Sequence, residues 1–186
     1  MILNDEQIIS KVRFHDMITP FEPTKIRQVA GSQVMSFGTQ PFGYDIRIAN
    51  QFAIFQPPPD WQGYIDPKNF DERLLRRHVG DFCMIPANSF ALAVSIEYFK
   101  MPRNVTGIVL GKSTYARAGT IANFTQLEAG WEGNITLEIS NSAPLPVKIY
   151  ANEGFAQVLF FQGDMPTSSY GQGKYQGQTG ITTAKV

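Results

Sequence analysis

Apolar and polar positions alternate along most of this chain. In "YDIRIANQFAIF" (44–55) Tyr44, Ile46 and Ile48 fall on one face and Asp45 and Arg47 on the other, the period of a half-buried strand. Shorter runs of strand type follow: "DFCMI" (81–85), "FALAVSI" (90–96), "VTGIVL" (105–110), "NITLEIS" (134–140), "VKIY" (147–150) and "FAQVLFF" (155–161). "PANS", "MPRN", "NSAPLP" and "NEG" punctuate them with turn residues. Only "NDEQIISKV" (4–12) carries a helix pattern, with Asn4 placed to cap, Gln7 three residues on, and Ile8, Ile9 and Val12 as an apolar stripe. Many short strands beside one helix predict a mainly β fold. The stretch 13–43 and the proline-rich "QPPPDW" read as long surface loops. The tail from Gly163 carries no core signal; it reads as a frayed terminus or as a segment that orders over a ligand, since "YGQGKYQGQTG" keeps two Tyr and a Lys among its glycines.

The 186 residues, 43% apolar and 17% charged, fit one globular domain with a sizeable core. Lys plus Arg equals Asp plus Glu, 16 each, so nothing draws the whole molecule to nucleic acid and an anionic ligand needs a local basic site. Cys83 is the single cysteine and His15 and His78 the only histidines, too few for a usual zinc site or an intrachain disulfide. "MILNDEQIIS" lacks the basic and long apolar regions of a signal peptide, and no apolar run approaches a membrane span. These features predict a soluble protein of a reducing, cytoplasmic compartment.

Three stretches carry candidate chemistry. "GKSTYARAG" (111–119) ends like a phosphate-binding P-loop, yet that motif needs a glycine at 106, which is Thr; Gly107 comes one residue late. Lys112, Ser113, Thr114 and Arg117 still place two cations and two hydroxyls within six residues, a set suited to phosphate that also fits an ordinary solvated turn. In "NITLEIS" alternation puts Glu138 with Asn134, Thr136 and Ser140, on a face that is either solvated or a pocket holding a general base. In "QLEAGWEG" (126–133) Trp131 suits a pocket wall or the core, and Gly130 and Gly133 allow close backbone approach.

Taken together, "GKSTYARAGTIANFTQLEAGWEGNITLEISN" resembles the signature of the trimeric dCTP deaminases, relatives of the dUTPases. "FGYDIRIANQFAIF" is similar to that family's early strand, "NEGFAQVLFF" to its late strand, and "GKYQGQTG" to its C-terminal lid. The resemblance implies a β-clip, dUTPase-like distorted jelly-roll subunit spanning 1–186, with about 163–186 as lid, and a homotrimer whose active sites are shared between neighbours. It implies hydrolysis of dCTP to dUTP and ammonia, feeding dUMP and dTTP synthesis, with Mg2+ accompanying the triphosphate, no zinc, and dTTP as a feedback inhibitor. By position, Glu138 becomes the proton donor and acceptor, Ser113 the holder of water or leaving group, and Arg117 a support for charge. Lys112, Ser113, Thr114, Tyr115, Ala116 and Arg117 would grip the triphosphate. Thr136, Leu137 and Glu138 would lie along the base, and Gln157, Tyr170, Lys174 and Gln178 would complete the nucleotide site. Lys112 stands where many relatives have Arg, and Glu128 where others have Asp; Ala118 and Ala129 also depart from common choices. Within the same fold, a bifunctional enzyme releasing dUMP and pyrophosphate and a non-catalytic nucleotide-binding β-clip protein are the rivals.

Zinc-dependent nucleobase deaminases carry an H-x-E…P-C-x-x-C signature that this chain lacks. Elemental analysis of the purified protein is therefore expected to find no stoichiometric zinc; one zinc per chain, required for turnover, would overturn this.

Overall fold

The computed structural model describes residues 1–186. Helix α1 (Asp5–His15) opens the chain. Asn4 caps it with a reciprocal pair: the Asn4 side chain accepts from Gln7 N–H at 3.0 Å, and Gln7 accepts from Asn4 N–H at 3.1 Å. The expected helix is present and runs three residues further.

Twelve strands follow: β1 (Ile18–Thr19), β2 (Ile26–Val29), β3 (Ser32–Thr39), β4 (Tyr44–Phe55), β5 (Leu75–Val79), β6 (Phe82–Ile85), β7 (Ser89–Lys100), β8 (Val105–Gly111), β9 (Thr120–Asn123), β10 (Glu132–Asn141), β11 (Val147–Tyr150) and β12 (Gly154–Gln162). A 3-10 turn (Glu72–Leu74) precedes β5, and the four-residue α2 (Ser113–Ala116) follows β8. Every strand expected from alternation is present, so the mainly β expectation holds. No helix is long and apolar enough to cross a membrane.

The reading of 13–43 as loop needs correction, since it holds β1, β2 and β3. The hairpin turn between β2 and β3 is Ala30–Gly31, with φ of 49° and 81°. That is a two-residue turn with positive φ at both positions, but it lacks the Asn-Gly or Asp-Gly signature of such turns. β2 is also exposed over most of its length, so it carries no apolar alternation to detect. β5 (LRRHV) and β9 (TIAN) escaped for a related reason: both are short and polar and take their register from neighbours.

The main path of the sheet runs β2-β3-β4-β7-β10-β9, with β12 bridging β4 and β8. β4 changes partners along its length. Its first residues pair with β12, ending at Gly154↔Arg47, and from Ile48 onward it pairs with β7, beginning at Ile48↔Ser95. The β7 register slips at this crossing, both against β4 and against β10. Glu97, wholly buried, fills the irregularity. Its carboxylate accepts from Arg47 N–H and from Arg47 Nε, both at 2.8 Å. Ser95 Oγ donates to Glu97 O and accepts from Ile135 N–H, which ties the same point to β10. Arg47 also lies over the Phe37 ring, 4.8 Å from its centroid. Packed around this crossing, 29 buried apolar residues form the main core.

Removing one partner of a buried pair leaves the other charge uncompensated, which costs about 3–5 kcal/mol. Glu97→Leu is therefore expected to lower stability by about that much in urea denaturation, and the double change Glu97→Leu, Arg47→Met to recover only the part due to the unpaired charge, since the Arg47 N–H still lacks its acceptor. A single-variant loss below about 1 kcal/mol would show that the crossing does not depend on the pair.

Candidate active site

β10 lies between β7 and β9, with Glu138 opposite Leu92 on one side and Asn123 on the other. Strand alternation sends Leu137 into the core, where it is wholly buried, and sends Thr136 and Glu138 to the opposite face. That face is not solvated. It forms one wall of a cavity of about 470 Å³ whose other sides carry Phe70, Phe90, Leu92, Phe124 and Trp131. Burial pushes the Glu138 carboxyl up from 4.5 to about 7, and its own backbone N–H opposes the shift. A carboxyl poised near neutral pH can take a proton and return it.

Trp131, weighed from the sequence as pocket wall or core, is both: 6% exposed, and lining the cavity. Its indole N–H donates to Tyr175 O at 2.9 Å. Gly133 does permit close approach, but to the tail. At its φ of 149° an added Cβ would lie 2.9 Å from Gln178 O. Residues 170–182 run along β10 rather than fraying. Asn134 N–H donates to Gln178 O at 2.9 Å, Gln178 Nε2 donates to Asn134 O at 2.8 Å, and Gly177 N–H donates to Glu132 O at 2.9 Å.

Of the residues singled out from the sequence, Thr136, Glu138, Tyr170 and Gln178 meet at this cavity. Gln178 Oε1 is buried there without a hydrogen-bond partner, so the site has an acceptor to offer. The Lys112–Arg117 segment, Gln157 and Lys174 lie outside the cavity wall of the same chain. Ser113, Thr114, Ala116 and Arg117 are exposed on and beside α2. The Tyr115 side chain is buried, its hydroxyl accepting from Tyr150 N–H at 3.1 Å and its ring centroid 5.2 Å from that of Phe155. The Lys112 ammonium contacts the carboxylate of buried Asp45. Gln157 is half-buried on β12, opposite Asp45 on β4. Lys174 is exposed, its Nζ donating to Lys185 O at 2.6 Å.

Sequence reasoning did not reach Phe70, Phe90, Leu92, Phe124 or the Thr182–Ala184 end of the tail, all of which line the cavity, and it took Tyr175, which also lines it, only as one of two tyrosines in the tail. Phe70 sits in a loop without periodicity, and Phe90 and Leu92 read only as strand residues. Glu128 also lines the cavity, and Gln126 Nε2 holds one of its oxygens at 2.5 Å.

Known proteins resemble this chain over its full length. A dCTP deaminase-like family model matches residues 2–163. A protein of Acidovorax sp. (strain JS42) named dCTP deaminase is 53% identical over 188 residues, covering 100% of this chain and 99% of the relative. One of the same name from Laribacter hongkongensis is 53% identical over 184 residues, covering 97% of each. Among solved structures, 2'-deoxycytidine 5'-triphosphate deaminase from Agrobacterium tumefaciens shares the fold, with a TM-score of 0.62 at 16% identity over 87% of this chain. The match spans 48% of that longer chain. With a family model over most of its length and relatives half identical from end to end, the chain belongs to the dCTP deaminase-like family.

Proposed function

We propose that the protein hydrolyses dCTP to dUTP and ammonia, with Glu138 as the proton carrier. The observation that carries this is a carboxyl tuned to about 7 in an aromatic-walled cavity, on a chain whose half-identical relatives bear that name. Ionised Glu138 takes a proton from water as the water oxygen bonds to C4 of the cytosine ring, and delivers that proton to N3. The tetrahedral C4 then carries both OH and NH2. Glu138 takes the hydroxyl proton and gives it to the amino nitrogen; the C–N bond breaks, ammonia leaves, and C4=O remains. One water is consumed and its two protons end on N3 and on ammonia.

The remaining roles follow the resemblance. Ser113, Thr114 and Arg117 stand exposed on a segment that does not line the same chain's cavity, which suits a site completed across a subunit boundary. We assign them to the triphosphate of a nucleotide held by a neighbouring chain in a homotrimer, and the segment from about 163 to the closing lid. Asp45 neutralises Lys112, so Arg117 is the free cation of that segment. No group of three or more His, Cys, Asp or Glu side chains gathers anywhere in the chain. A Mg2+ accompanying the triphosphate would therefore be held chiefly by phosphate oxygens and water. Glu128 in the same cavity supports a second reading, in which the enzyme also cleaves dUTP to dUMP and pyrophosphate. Assaying ammonia and pyrophosphate separately after adding dCTP distinguishes the two.

Four outcomes test the reading. Light scattering is expected to give about three times 20.8 kDa; an active monomer would sink the shared site. Glu138→Gln should cut ammonia release by roughly 10²–10⁴-fold while calorimetric dCTP affinity stays close to native; near-native release would remove Glu138 from the mechanism. The base must be ionised, so kcat/KM of the wild type should rise with pH through about 7 and then level. Stability runs the opposite way. A raised folded-state pKa favours the protonated form, so this contribution is full below about 4.5 and is lost as pH rises through about 7. Glu138→Gln should gain thermal stability relative to wild type at pH 8.

A further inference from the structure

Beyond Gln178 the tail crosses the rim of the cavity and reaches a second, smaller core. There Ile181 packs, half-buried, against a cluster of Ala53, Leu75 and Leu92 edged by Phe55, Phe70 and Phe90. The Phe55 and Phe90 rings stack with centroids 4.6 Å apart. Ile181 is the one large aliphatic side chain between Tyr175 and Val186. The next residue, Thr182, donates its N–H to Thr136 Oγ1 at 3.2 Å, and Thr183 Oγ1 lies 3.2 Å from Glu72 Oε1.

These contacts reach the reacting end of the site. Thr136 and Glu138 are two residues apart on one strand face, about 7 Å along it. A hydroxyl that accepts from Thr182 must direct its own hydrogen elsewhere, and Thr136 lines the cavity. The tail around this contact is rich in glycine, with Gly171, Gly173, Gly177 and Gly180 leading up to it. Such a segment has much conformational freedom to lose and needs an apolar anchor to stay in place.

We infer that Ile181 is a positioning residue: seated on the Ala53, Leu75 and Leu92 cluster, it latches the tail so that Thr182 orients the Thr136 hydroxyl and the cavity closes over Glu138. Its catalytic consequence rests on the deamination reading above; the latch itself does not. The other titratable groups lining the cavity are Glu128, from the loop after β9, and Tyr170 and Tyr175, from the tail.

The test uses the full-length protein with Ile181→Ala, and Ile181→Val as the conservative variant. Hydrogen exchange at the Gly177 and Thr182 amides, without nucleotide, reads the latch; kcat, KM and calorimetric affinity for dCTP across pH read the site. Ile181→Ala is expected to speed exchange at Thr182 by about tenfold and lower kcat/KM by about tenfold, the order set by removing an aliphatic group from an apolar seat. Water reaching Glu138 should also move the midpoint of the pH profile downward, and Ile181→Val should recover most of each effect. Unchanged exchange at Thr182 overturns the latch. Faster exchange with native kcat/KM and an unmoved pH midpoint overturns the positioning role. Should wild type release no ammonia from dCTP, the deamination reading falls, and exchange together with dCTP affinity decides the latch alone.

Discussion

The fold turns on the place where β4 leaves β12 and joins β7. A strand that changes neighbours along its length leaves a gap in its ladder where one partner ends and the next begins, and a gap inside the core needs another acceptor for the backbone donors there. Glu97 resolves this by accepting from the Arg47 main chain where a strand would otherwise pair, and it holds the Arg47 guanidinium with its other oxygen. Ser95 and Asn134 carry the same junction into β10: Asn134 Nδ2 lies 3.2 Å from both Ser95 O and Glu97 O. A buried ion pair is weak evidence for net stability; here its two hydrogen bonds join Glu97 on β7 to both the backbone and the side chain of Arg47 on β4. Because β10 is set by this junction, so is the face that carries Thr136 and Glu138.

Site chemistry follows from where that face points. A carboxylate on an exposed strand would titrate like any surface group. Here Leu92 across the ladder, aromatic rings from three separate segments and the returning tail remove water, and desolvation raises Glu138 toward neutrality. The tail belongs to the site as much as the strand does. It pairs with the β10 backbone beside Gly133, where a side chain would block it, and it caps the indole of Trp131. The cavity is thus assembled from segments near residues 70, 90, 130 and 180, while the α2 segment stands exposed outside it.

Local pattern carried much of this fold. The Asn4–Gln7 capping box specified the start of α1, and period-two alternation located seven strands because each buries one face. What escaped were β1, β2, β3, β5 and β9, which are two residues long, mostly polar or exposed, or buried at one end only, and whose pairing is dictated by the strand beside them. The partial reading of the site has the same origin. Alternation placed Thr136 and Glu138 on one face, and the family resemblance added Tyr170 and Gln178, but nothing periodic marks Phe70 or Ile181 as neighbours of Glu138. Tyr115 shows the converse: it sits in the most chemically suggestive stretch of the chain and packs against Phe155 in the core.

The sequence by itself determined the mainly β class, the capped first helix, the separation of Leu137 from Glu138, and membership of a family through residues 111–141. It did so because those features depend on neighbours within a turn or a strand, or on the identity and order of residues. Whether the polar face of β10 met water or a cavity, whether Lys112 was free or paired with Asp45, and whether the glycine-rich tail frayed or docked were decided by the tertiary structure. Each depends on the burial or charge of groups tens of residues away, and only packing brings those groups within reach.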